Sequence, residues 1–80
     1  MTKVAELLEW LARRLVDEPD AVRVEQAEGE DGSLVLRLRV AEDDVGKVIG
    51  RQGRIARALR TVVRAGGPHA GRRLQLEIVG

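Results

Sequence analysis

Apolar residues return along this chain with two different periods. Val4, Leu7, Leu8, Leu11 and Leu15 recur at helical spacing and predict a helix over residues 3–17, with Thr2 as its N-cap. Asp17-Glu18-Pro19-Asp20 ends it, because proline disfavours helical geometry in the residue before it. The period then drops to two. Val22 and Val24 alternate with Arg23 and Glu25 in a short strand over residues 21–28. Glu28-Gly29-Glu30-Asp31-Gly32-Ser33 is a turn. Beyond it Leu34, Leu36, Leu38 and Val40 alternate with Val35, Arg37 and Arg39, so the two strands predict a hairpin.

Helical spacing returns after Val40. Glu42-Asp43-Asp44 opens a short helix with Val45, Val48 and Ile49 on its apolar side, the acids acting as N-cap and favourable charges at the helix dipole. Gly50 to Gly53 breaks it. A second helix runs from about Arg54 to Ala65, with Ile55, Ala58, Leu59, Val62 and Val63 as its core-facing side and Arg57, Arg60 and Arg64 mainly on its other faces. Gly66-Gly67-Pro68 stops it, and His69-Ala70-Gly71 completes a loop. Leu74, Leu76 and Ile78 alternate with Arg73, Gln75 and Glu77 in a last strand. The order is α-β-β-α-α-β, an α+β arrangement. Each strand has one apolar face, so the helices are expected on one side of a three-stranded sheet. The hairpin is antiparallel. The helical crossover makes the second and last strands parallel if they are adjacent, giving a mixed sheet.

Composition narrows the classes of function. Eighty residues make one domain spanning 1–80, and no cysteine is present to form a disulfide or a thiolate metal site. No run approaches the ~20 apolar residues of a membrane span, and the charged N-terminal stretch lacks the apolar core of a signal peptide, so a soluble, cytoplasmic protein without a membrane partner is expected. The net charge of +1 conceals an asymmetry. Residues 1–40 hold six Lys/Arg against nine Asp/Glu, whereas residues 41–80 hold eight against four. Between Lys47 and Arg64 six basic residues occur and no acid, which suits a face turned to a polyanion; an Arg-rich solvated helix face is the plainer reading.

The segment Val45-Gly46-Lys47-Val48-Ile49-Gly50-Arg51-Gln52-Gly53-Arg54-Ile55 concentrates this charge around a sharp turn. Gly50 and Gly53 let the chain turn without side-chain clash and let another backbone come close. The loop exposes N–H groups near the start of the following helix, where anions are favoured. Arg51 supplies a positive charge and Gln52 a neutral hydrogen-bonding group, and Lys47 and Arg54 flank them. These are the parts of a phosphate clamp. A GxxG tetrapeptide alone is common by chance; a helix on each side, Val48-Ile49 before it and Ile55 after it make it specific.

With that context, Val48 to Ile55 resembles the core of the KH domain, in which a GxxG loop clamps the backbone of four nucleotides. The element order resembles the type II, prokaryotic arrangement, and a chain of this length resembles the KhpA family of small bacterial RNA-binding proteins. The resemblance spans essentially the whole chain. It implies broad binding of single-stranded RNA, post-transcriptional regulation or RNA chaperoning, self-association, and pairing with a larger RNA-binding protein of the KhpB/Jag type. It assigns Gly50 and Gly53 to the turn and Arg51 and Gln52 to the phosphate-facing tip. Val45, Val48, Ile49 and Ile55 would border an aliphatic groove for the bases. Lys47, Arg54 and Arg57 would add charge. Arg37 and Arg39 lie on the strand that would line the groove's far side, unless their side chains face solvent on the open side of the sheet.

Other chemistries fit less well. A P-loop needs Lys and Ser/Thr after its second glycine, and neither Gly50-Arg51-Gln52 nor Gly46-Lys47-Val48 supplies them; a Rossmann fingerprint is absent. Adjacent acids at 42–44 do not converge on a metal. His69 is the sole histidine and sits in a Gly/Pro-rich loop, which favours a solvated turn role over catalysis. No enzyme, cofactor or small-molecule substrate is expected. Trp10 is the only aromatic residue, which counts against base-stacking folds and not against an aliphatic groove. It lies off the apolar stripe, as an edge-of-core residue or a partner contact. A protein-interaction module using Trp10 and the helix Arg54–Ala65 is the alternative function.

Overall fold

The computed structural model describes residues 2–80, except for the side chain of His69, so the turn role expected of that side chain lies outside the described residues. Helix α1 spans Lys3–Leu15, strands β1 and β2 span Arg23–Glu28 and Leu34–Arg39, helices α2 and α3 span Val45–Ile49 and Arg54–Ala65, a single turn α4 spans Gly67–Ala70, and β3 spans Leu74–Val79. The sheet order is β1-β2-β3, with β1 antiparallel and β3 parallel to the central β2, so the mixed sheet expected from the crossover is present.

The core lies between the sheet and the helices. Leu34, Leu36 and Leu38 of β2, with Val22, Val40 and Leu74, meet Ala5, Leu8 and Ala12 of α1, Val48 of α2, and Leu59 and Val63 of α3. Register pairs Leu36 with Leu76 and Leu38 with both Val24 and Ile78, which keeps one face of the sheet apolar. The opposite face carries charge: Arg37 pairs with Glu77 across β2–β3 at 3.2 Å, and Arg39 pairs with Glu25.

Several boundaries differ from expectation, each for a local reason. Helix α1 stops at Leu15, two residues early, because Val16 turns extended and packs on the core. Pro19–Ala21 forms a 3-10 turn, and β1 begins at Arg23. The segment after α3 is one more helical turn and not a loop. Gly66 keeps right-handed angles and Pro68 sits in the first turn, where its missing N–H costs nothing; Gly71, with φ of 69°, ends it.

Both long helices bury a different arc from the one their large apolar residues predict. In α1 the fully buried positions are Ala5, Leu8 and Ala12, whereas Leu7 is 46% exposed and Trp10 54%. In α3 they are Ala56, Leu59 and Val63, with Ala58 exposed and Ile55 and Val62 half-buried. The alanines let the helix axes approach the sheet closely, and the bulkier neighbours are turned aside. Trp10 is therefore not an edge-of-core residue: its ring lies under the Arg14 guanidinium, 4.7 Å from the centroid, at the surface.

Candidate nucleic-acid interface

The loop Gly50–Gly53 joins α2 to α3 through three residues with positive φ: Gly50 (78°), Gln52 (58°) and Gly53 (73°). The Gly50 N–H donates to the Gly46 carbonyl at 2.9 Å, closing α2, and the Gly53 N–H donates to the Gly50 carbonyl at 3.1 Å. The two glycines serve different ends. A Cβ on Gly50 would lie 2.7 to 3.0 Å from Ile55 side-chain carbons, so this position is closed by packing as well as by φ. A Cβ on Gly53 would meet nothing within 4 Å. The space beside Gly53 is open, and the exposed side chains of Arg51 and Gln52 flank it.

Gly46 is a further opening. It is exposed, helical and without a neighbour within 4 Å of its missing side chain. Nothing in the fold calls for glycine there, although glycine inside a helix costs roughly 0.5–1 kcal/mol relative to alanine. It leaves bare backbone on the surface of α2, one turn before the loop.

Asp44 fixes the base of this unit. It does not cap α2 in the expected way, since its side chain makes no hydrogen bond to that helix. The carboxylate is only 2% exposed and accepts the backbone N–H groups of Asp17 (3.2 Å) and Glu18 (3.0 Å), fastening α2 to the exit of α1. Lys47 joins the same cluster, with its ammonium 3.0 Å from Asp17 and 3.9 Å from Asp44. Hydrogen bonding to Asp17 raises the Lys47 pKa above its ordinary value, so the side chain stays charged, but that charge is already answered by carboxylates.

The other expected site residues divide. Val45 and Ile49 are half-buried. Val48 is fully buried in the core and supports the loop from beneath, so the expectation that it borders the groove is corrected. Ile55 packs against Gly50 and also faces α1, where it lines an apolar groove with Leu11, Leu15, Ala58 and Val62; Arg54 stands at that groove's rim. Arg54 also reaches the Gln52 side-chain oxygen at 3.4 Å. Arg37 and Arg39 take the second of their two orientations. They project from the open face of the sheet, opposite the helices, in ion pairs with Glu77 and Glu25.

Ion pairing separates the cations into two groups. Arg13, Arg37, Arg39, Lys47, Arg72 and Arg73 all have carboxylate partners. Lys3, Arg14, Arg23, Arg51, Arg54, Arg57, Arg60 and Arg64 have none among the described residues; Arg14 lies over the Trp10 ring and Arg23 donates to the Asp20 and Val22 carbonyls, while the last five all lie on the loop or on α3. Sequence reasoning placed Arg51, Arg54 and Arg57 in the site and left Arg60 and Arg64 outside it. These two line a groove between α3 and β3 with Arg73, Leu74, Gln75 and Leu76. The absence of acids from Lys47 to Arg64 was the signal that pointed to them. Among the described residues no group of His, Asp and Glu side chains is placed to hold a metal ion.

This geometry matches known proteins. The family model described as KhpA/KhpB, KH domain, matches residues 5–78. The protein named RNA-binding protein KhpA from Aquifex aeolicus is 49% identical over 79 residues, covering 99% of this chain and 99% of its own. The protein of that name from Clostridium acetobutylicum is 50% identical over 74 residues, covering 92% and 97%; the one from Treponema pallidum is 51% identical over 79 residues, covering 99% and 98%. Among solved structures, Aquifex aeolicus Era bound to GDP.AlF4- superposes with a TM-score of 0.62 at 23% identity, over 94% of this chain and 29% of that one, which shows a shared fold in under a third of the larger protein. By its family-model match and by whole-length relatives at about half identity, the chain belongs to the KhpA/KhpB KH-domain family.

Proposed function

We propose that this chain binds single-stranded RNA by clamping its backbone at Gly50–Gly53, with little preference for sequence. The observation that carries the reading is the clustering of unpaired cations: of the eight Lys/Arg without carboxylate partners among the described residues, five (Arg51, Arg54, Arg57, Arg60 and Arg64) run from the loop tip along α3. Open space at Gly53 and Gly46 gives a phosphate backbone room to approach. Arg51 and Gln52 stand at the tip, and Val45 and Ile49 offer an aliphatic border for bases. Relatives named RNA-binding proteins support the RNA-binding part of this reading. Among the described residues no helix is long and apolar enough to cross a membrane.

The test is a titration of the labelled protein with a short single-stranded RNA, followed by backbone amide resonances. We expect the largest shifts at Gly46 and Arg51 to Arg54, and small ones at Glu25, Arg37, Arg39 and Glu77. Shifts concentrated on that open sheet face would contradict the reading.

Self-association is the second reading, and the apolar groove between α1 and α3 favours it. The apolar arcs that the sheet leaves uncovered, Leu11 and Leu15 on one helix and Ile55, Ala58 and Val62 on the other, meet there. Leu7 and Trp10 remain exposed on the same helix α1. A second KH domain, from another copy or from a KhpB/Jag-type partner, would cover this surface, and pairing would raise RNA affinity through avidity. We expect Ala58→Glu to lower the mass measured by light scattering at high concentration while leaving the circular dichroism spectrum unchanged. An unchanged concentration-dependent mass would remove this surface from the interface.

A further inference from the structure

Helix α2 is too short to hold itself. It has five residues, and an isolated helix of that length has no stability of its own in water. Its orientation, and with it that of the Gly46–Gly53 backbone, is set by what the helix is tied to. Val48 ties its underside to the core. Asp44, the residue immediately before it, ties its start to the exit of α1.

Asp44 is an expensive tie. Among the described residues it is the one charged residue that is buried. Desolvating a carboxylate is costly, and a neutral acceptor such as asparagine or serine would serve a backbone N–H at less cost. A carboxylate adds strength and a fixed plane with two acceptor oxygens. Both are used here, one on the Asp17 N–H and the other on the Glu18 N–H. The anchor behind those N–H groups is firm. Ala12 is fully buried in the last turn of α1, and Val16 packs on the core.

Lys47 belongs to this tie. At about 100° per residue it stands about 160° around α2 from both Val45 and Ile49. Its charge is therefore turned from the aliphatic side of α2 and toward α1, where its ammonium lies 3.0 Å from Asp17 and 3.9 Å from Asp44.

We infer that Asp44 and Lys47 are positioning residues for the loop: they hold α2 in the orientation that presents the Gly46–Gly53 backbone to phosphate, and neither side chain touches the RNA. This rests on the clamp reading, and the experiment separates the two. Charge and position predict opposite signs for Asp44. A carboxylate acting through its field repels a polyanion, so neutralising it would strengthen binding. A carboxylate that holds the support of the loop in place does the reverse.

The affinity of a labelled single strand of about four nucleotides is measured by fluorescence anisotropy over a range of salt. The proteins are the unaltered chain, Asp44→Asn, Lys47→Gln and Arg51→Asp/Gln52→Asp, with circular dichroism and urea unfolding to confirm that each is folded under the binding conditions. Asp44→Asn is expected to bind about five- to tenfold more weakly, through lost preorganisation. Lower stability alone would leave the affinity of the folded protein unmoved. Lys47→Gln is expected to bind about threefold more weakly, with its slope of log affinity against log salt unchanged, whereas a lost phosphate contact would make the slope shallower by about 0.7. Unchanged or tighter binding by folded Asp44→Asn would overturn the inference and leave the clamp standing. A slope shallower by that amount in Lys47→Gln would overturn it as well, by making Lys47 a phosphate ligand. If Asp44→Asn does not fold, the Lys47→Gln slope decides. Undiminished binding by the loop variant would instead overturn the clamp reading.

Discussion

Arg51→Asp combined with Gln52→Asp is expected to abolish measurable RNA binding while the protein stays folded. The fold should survive because neither side chain is buried and neither glycine is touched. Position 52 has φ of 58° and ψ of 24°, and aspartate is among the few residues that enter the left-handed region readily. Binding should fail for three reasons together. The unpaired Arg51 guanidinium is lost, Gln52 no longer donates, and two negative charges stand where phosphates belong. A hydrogen bond to a charged group contributes about 1.5–3 kcal/mol, so removing one and adding repulsion should weaken binding by at least about 30-fold. Fluorescence anisotropy with a labelled single strand measures this directly. Affinity preserved within a few-fold, with native circular dichroism, would mean that RNA is held elsewhere.

The second large effect concerns the stability of the loop, and it separates its two glycines. Gly50→Ala meets two obstacles. Its φ of 78° and ψ of 172° lie in a region open essentially to glycine alone, which costs about 1–3 kcal/mol. The new methyl would also sit 2.7 Å from Ile55 Cγ1 and 2.9 Å from its Cβ, and the Cβ cannot swing away because it is anchored to the α3 backbone. Relieving that clash shifts α3 or the loop, and overpacking of this kind costs about 1–3 kcal/mol more. A total near 4 kcal/mol is a large part of the stability of a small domain. Gly53→Ala has only the left-handed backbone to overcome, about 1–2 kcal/mol, because its Cβ enters open space. Urea unfolding of the two variants should therefore show a loss two- to threefold larger at Gly50. Equal losses would show that Ile55 does not pack on Gly50 in solution.

How much of this was legible in the sequence depended on the kind of element. Strand β2 was read correctly because Leu34, Leu36, Leu38 and Val40 alternate without interruption. The mixed sheet followed from one hairpin and one crossover. The loop was legible because Gly50 and Gly53 break an otherwise continuous helical period. The helix faces were read less well. Weighing residues by size put the centre of α1 among Leu7, Leu8, Leu11 and Leu15, whereas the sheet takes Ala5, Leu8 and Ala12. Alanine is apolar and small, and close approach of a helix to a sheet selects it; a pattern weighted by bulk passes over it. In α3 the same reading put Ala58 and Val62 on the core side with Ile55, which does pack on the core, and all three line one common groove.

Charge was legible as a total and not as a set of pairs. Arg37, Arg39, Lys47 and Arg51 look alike in the sequence. In the fold, the first two answer Glu77 and Glu25 across the sheet and Lys47 answers Asp17, while Arg51 is left unpaired. Those contacts join residues far apart in the chain. Asp44 shows the same gap: helix position suggested a cap, and the fold uses its carboxylate to hold the α1 exit instead.

The central claim is that the loop holds phosphate, and salt dependence of RNA binding tests it most directly. Each phosphate neutralised on a single strand contributes about −0.7 to the slope of log affinity against log salt. A loop that holds two to four phosphates predicts a slope between about −1.4 and −2.8 for a short strand. A flat response would contradict the clamp.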